Sequence, residues 1–190
     1  MINWFEDSPR LNAVAATLQK ESDRACAVLG AALVDQVLGD LIRSAMVEEA
    51  PSKLFDGYGP IASFSARIEI SLGLGLISRD EHSDLHLIRK IRNVFAHEMD
   101  HELSFTTQAI AHRVAALKIV DALYANPSIP TPEDTPRVRF QIEIGSLTYS
   151  LAGVRAAAIT RAEIPEDYCG WLRTVGRRTP EGENPGSPSD

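Results

Sequence analysis

Arg92, Asn93 and His97 stand in the order R-N-x-x-x-H within the stretch RNVFAHEMDH, residues 92–101. That combination suits RNA cleavage without a metal. Histidine exchanges protons near neutral pH, and the planar arginine fork holds a phosphate through two oxygens. Asn93 would orient the pair, and Arg89 and Lys90, just upstream, would guide the RNA backbone. The same stretch, read from His97, is H-E-x-x-H, the spacing with which two histidines on one helical face hold zinc while Glu98 serves as base. Zinc needs a third ligand, and none of His112, Asp121 or Glu133 is placed in a recognisable way. His101 also falls in DHELSFTT, which reads as a helix exit followed by a new cap, so the metal set is read as none. His82 and His86, a second i, i+4 pair, read as exposed side chains. A plainer reading makes Arg92 a solvated ion-pair partner of Glu98, Asn93 a helix-end residue and His97 a cation on free helix carbonyls.

The elements that must position these residues are helical throughout. Ser78 and Glu81 form an S-x-x-E capping box, so a helix starts near Arg79, with Leu85, Ile88, Ile91 and Phe95 as its buried stripe. The chemistry-bearing stretch lies at its C-terminal end. On a regular helix Asn93 and His97 share a face, whereas Arg92 and His97 are about 140° apart. One copy therefore converges poorly, and a two-fold pairing of this helix end would assemble the groups in a shared cleft.

Before it, a first helix from Pro9 carries Leu11, Val14, Ala15 and Leu18. A long helix over 22–47 follows, with Cys26, Leu29, Leu33, Val37 and Leu41 as its stripe, widened by Val28, Leu38 and Ile42 as in a central helix. A loop, PSKLFDGYGP, leads to a helix starting near Pro60. After the motif, one helix runs from Thr106 or Thr107 to about residue 125. Pro127, Pro130, Pro132 and Pro136 mark a linker over 126–136. A last helix over 137–162 carries a heptad-like seam from Phe140 to Ala158, which should pack on the bundle or on a second chain. Five to six helices without a strand make an all-α bundle, one domain over 1–163, with a disordered tail over 164–190.

Composition narrows the function. With 44% apolar and 24% charged residues, the chain is an ordinary globular protein with a sizeable core. Cys26 and Cys169 match no metal or redox spacing, the start lacks a secretory signal, and no stretch approaches 18 uninterrupted apolar residues. A cytoplasmic protein with no membrane association is expected. A net charge of −7 and no basic recognition helix argue against direct DNA binding.

RNVFAH followed by LSF resembles the HEPN superfamily, and LFDGYGPIASFSARIEISLGLGLISRDEHSDLHLIRKIRNVFAHE resembles the mannitol operon repressor (MtlR) family. The matching landmarks are DG-GP, GLGLIS and the helix after them, and the likeness spans roughly residues 20–125. The first resemblance implies a homodimeric, cofactor-free endoribonuclease acting on single-stranded RNA, with catalytic Arg92, Asn93 and His97. The second implies a non-catalytic transcriptional regulator acting through a protein partner. Typical mannitol repressors lack the full R-N-x-x-x-H, so this chain departs from them toward the catalytic pattern. A third reading is the toxin of a two-gene pair, held in check by an antitoxin.

Overall fold

The structure, a computed structural model, describes residues 16–48, 50–126 and 133–155, the last three of these as backbone only. Expectations for Leu11, Val14, Ala15, the prolines at 127, 130 and 132, Ala158, Cys169 and the 164–190 tail lie outside the described residues, as does the side chain of Val154.

Among the described residues the fold is all α, with no strand. Residues 16–20 are helical and bury Leu18. Then follow α1 (Asp23–Ala45), a 3-10 turn (Ser52–Leu54), α2 (Phe64–Gly73), α3 (Arg79–His97), α4 (Gln108–Ala115), α5 (Lys118–Tyr124) and α6 (Pro136–Tyr149). The chain continues from α6 as a π-helical segment, Ser150–Arg155.

Helix α1 is the centre, packed against α2, α3 and α6. Ser22 caps its start by accepting from the Ala25 N–H at 3.3 Å. Its buried face overlaps the expected one at Cys26, Leu38, Leu41 and Ile42 but is turned away from the rest of it. Leu29 is 46% exposed, and Leu33 and Val37 are only partly covered. The buried set is Cys26, Ala27, Gly30, Ala31, Val34, Leu38, Gly39, Leu41 and Ile42. The true contact face is rich in small residues, which attract little notice in a hydrophobicity pattern but let neighbouring helices approach. Its mean hydropathy of 1.7 over an 18-residue window would also suit a membrane-crossing helix. Half of that window is covered by the rest of this bundle, the signature of a core helix.

The start of α2 lies later than Pro60. Ile61 N–H donates to Leu54 O at 2.9 Å, closing the loop, and Ser63 then caps the helix through the Ala66 N–H at 3.1 Å. The end of α2 is a Schellman turn. Leu76 N–H reaches Ser71 O, Gly75 N–H reaches Leu72 O, and Gly75 adopts φ +70°. Within the loop, a Cβ on Gly59 would lie 2.2 Å from Lys53 O and 2.5 Å from Leu54 O. Backbone cannot swing aside as a side chain can. Gly59→Ala is expected to destabilise the fold by about 1–3 kcal/mol, read from the midpoint of a denaturant melt. An unchanged midpoint would show that the loop tolerates a Cβ.

The helix expected from residue 106 or 107 to 125 is two helices, broken at Ala116–Leu117. The cause sits on α3 and α6. Asp84 Oδ2 accepts the N–H groups of Lys118 (2.9 Å) and Ile119 (3.1 Å), and Glu143 Oε2 accepts that of Val120 (2.9 Å). These buried carboxyl groups satisfy the free N–H groups of a second helix start, and a continuous helix would have used those donors itself. Asp84 and Glu143 act on each other, the Asp84 charge adding to burial in pushing the Glu143 carboxyl up.

Helix α6 starts with Thr135 as cap and Pro136 in the first turn. Its seam packs on the bundle: Phe140, Ile144, Leu147 and Leu151 are buried. Phe95, Phe105 and Phe140 stack across α3, the following loop and α6, with ring centroids 5.2 and 5.1 Å apart.

Candidate functional site

The helix carrying the motif forms as its sequence dictates. Ser78 N–H donates to Glu81 Oε2 at 2.7 Å and Glu81 N–H to Ser78 Oγ at 3.2 Å, a complete capping box. The four stripe residues, Leu85, Ile88, Ile91 and Phe95, are fully buried. The helix stays regular to His97, and Glu98 is extended, its N–H on Val94 O at 3.0 Å.

This end point decides the zinc-protease spacing. His97 is the last helical residue and His101 sits in the turn beyond, so the two do not share a helical face.

The same regularity sets the R-N-x-x-x-H geometry. The separation of Arg92 and His97, about 140° around the helix axis, is not relieved by unwinding. Arg92 is half-buried, and its charge reaches Asp35 on α1. Burial pushes the Asp35 carboxyl up, while Arg67, paired with it at 2.8 Å, and Arg92 pull it down. No ion pair joins Arg92 to Glu98 among the described residues. Asn93 is half-buried and His97 exposed, on the adjoining face. Lys90 is exposed. Arg89 is half-buried, and its charge is felt at His86, one turn back along the helix.

The cation on the helix-end carbonyls is Arg24 of α1, not His97. Its guanidinium donates to Phe95 O, and to Glu98 O and Asp100 O at 2.9 Å each. A positive group here answers both the free carbonyls and the negative end of the helix dipole. Asp23, next to it, accepts the Phe105 N–H at 2.8 Å. The start of α1 thus holds the exit of α3 and the loop behind it, leaving His97 free to face solvent. Seventy-one residues separate Arg24 from Phe95, and no local pattern signals the pairing.

A second group of side chains with chemical potential lies at the other end of α3. His82 and His86 are not freely exposed, with side chains 24% and 20% accessible. Their Nε2 atoms are 3.3 Å apart, and both face Glu69 of α2, at 3.3 and 2.9 Å.

Comparison with known proteins supplies the family. The model of the family described as MtlR, mannitol repressor, matches residues 16–146. Mannitol operon repressors of Escherichia coli strains K12 and CFT073 are each 33% identical over 97 residues, covering 51% of this chain and 49% of the relative. The chain therefore matches about half the length of these curated relatives. An X-ray structure of the MtlR–HPr complex from Escherichia coli shares the fold, with a TM-score of 0.60 at 22% identity over 75% of this chain and 98% of the other. The family match covers all six helices up to the middle of α6, including the capping box and the α3 exit, and the chain belongs to the mannitol repressor (MtlR) family.

Proposed function

We propose that this protein is a regulator of the MtlR kind that acts by binding a partner protein, with HPr as the first candidate. The family match over residues 16–146 carries the reading. The likeness in fold to a chain of the MtlR–HPr complex supports it, and the charge of −7 favours a protein contact over a broad grip on nucleic acid. The test is co-elution of the purified full chain with HPr of the same organism in gel filtration. A complex emerging ahead of both components is expected. Separate elution at concentrations well above micromolar would remove HPr as the partner.

A second reading is kept for one observation. His97 is exposed at a helix end that Arg24 has already satisfied, with Asn93 on its face, so these groups are open to a second copy of the chain. A symmetric homodimer would bring Arg92 of one copy toward His97 of the other, as a metal-independent ribonuclease acting on single-stranded RNA requires. Arg89 and Lys90 then have unequal parts. Exposed Lys90 can meet an RNA backbone, while Arg89 is half-buried. Cleavage of RNA in EDTA that disappears in His97→Ala would favour this reading. Intact RNA, or equal cutting by both proteins, would end it.

A further inference from the structure

We infer that Glu69, His82 and His86 form a binding site for one divalent transition-metal ion, with zinc the first candidate. The inference runs against the reading of these histidines as plain exposed side chains and of the chain as metal-free.

The geometry is the first support. The ligand atoms of the three residues all lie within 4.8 Å of one another. A tetrahedral zinc sits about 2.0–2.1 Å from each imidazole nitrogen, which requires the two nitrogens to be about 3.3–3.4 Å apart. The two Nε2 atoms are 3.3 Å apart. The rings meet edge to face, at 83° with centroids 4.6 Å apart, so they do not stack flat on each other. The carboxylate closes the third side, with Oε2 at 3.3 Å from His82 and Oε1 at 2.9 Å from His86.

The second support is chemical. Neighbouring imidazole nitrogens cannot all carry protons comfortably. A neutral imidazole presents the lone pair that a metal takes. Two imidazoles and one carboxylate suit zinc and its neighbours, whereas magnesium and calcium prefer oxygen-only sets.

The third support is position. His82 and His86 are one turn apart on α3, and Glu69 comes from α2 across the Schellman turn. A metal would clip the two helices together. Three protein ligands leave a fourth position for water, as in zinc sites that keep an exchangeable ligand. From His86 to His97 is about 16 Å along the helix, so the site is separate from the α3 exit.

The test uses tag-free, chelator-treated full-length protein, titrated with Zn2+ by calorimetry and with Co2+ by visible absorption. One ion per chain is expected, with the ligand-field bands of coordinated cobalt. Glu69→Gln, at an exposed side chain, and His86→Asn should each weaken binding on the order of 100-fold, while His101→Ala leaves it intact. Far-UV circular dichroism reports whether each variant folds, and Glu69→Gln serves as the decisive variant if His86→Asn does not. The inference is overturned if the wild type binds no more tightly than Glu69→Gln, or if His101→Ala removes the ion.

Discussion

Phe105→Ala should lower the stability of the protein by about 3–5 kcal/mol, measured as the unfolding free energy from denaturant melts. Phe105 lies in the loop after α3, yet it is only 1% exposed. Its ring stands between Phe95 of α3 and Phe140 of α6, and its N–H is held by Asp23 of α1. Truncation would open a cavity where three helices meet and remove both aromatic contacts, each worth about 0.5–1.5 kcal/mol beyond area burial. A domain of this kind has about 5–15 kcal/mol in total, so the variant should be close to unfolding at body temperature. The consequence for the site is specific. Loosening this loop frees the segment that Arg24 ties to α3, so amide exchange at residues 98–105 should rise beyond the global change. A loss below about 1 kcal/mol would mean that the loop is not part of the core.

The second large effect is on pH dependence. Burial, then the charge of Asp84, pushes the Glu143 carboxyl up to about 9 from 4.5, and burial pushes Asp84 up as well. The folded protein therefore keeps a proton on the pair that the unfolded chain releases above about pH 4.5. The stability this contributes is fully present below that point and falls as pH rises toward 9, because the native state binds more protons. The ceiling is about 1.4 kcal/mol per pH unit for one proton. Half that slope over three pH units is already about 2 kcal/mol, a sizeable share of the total. Glu143→Gln retains an uncharged group that can accept from Val120 N–H and carries no charge to repel Asp84. It should match the wild type near pH 5 and exceed it above pH 8, with a flatter profile. His86, whose pKa is lowered, acts with the opposite sign around its own titration, but it is common to both proteins and cancels in the difference. Parallel profiles for wild type and Glu143→Gln would show that the pair shares no proton.

Much of this was legible in the sequence where the signal is local. The Ser78 capping box and the Leu85, Ile88, Ile91 and Phe95 stripe place α3 and its exit, because cap chemistry and helical period act within a few residues. The α1 face is legible at Cys26, Leu38, Leu41 and Ile42 but not at its small residues, because Leu29 outweighs Ala27, Gly30 and Ala31 in apolarity while close packing chooses the small residues. The break before Lys118 was hidden because its cause, Asp84 and Glu143, lies 34 and 23–25 residues away. The His82 and His86 spacing was visible, but Glu69 belongs to another helix, and only the Schellman turn at Gly75 brings it across. The motif itself was read correctly as a helix exit. What one chain does not do is bring Arg92 to His97, since the helix remains regular to its last residue.

The central claim is that the partner is a protein rather than a nucleic acid. It is tested most directly by titrating the purified full chain, at physiological salt, with HPr in one calorimetric cell and with operator DNA or single-stranded RNA in another. The account predicts saturable heat with HPr and none with either nucleic acid. Saturable binding of DNA or RNA, with no heat from HPr, would contradict it.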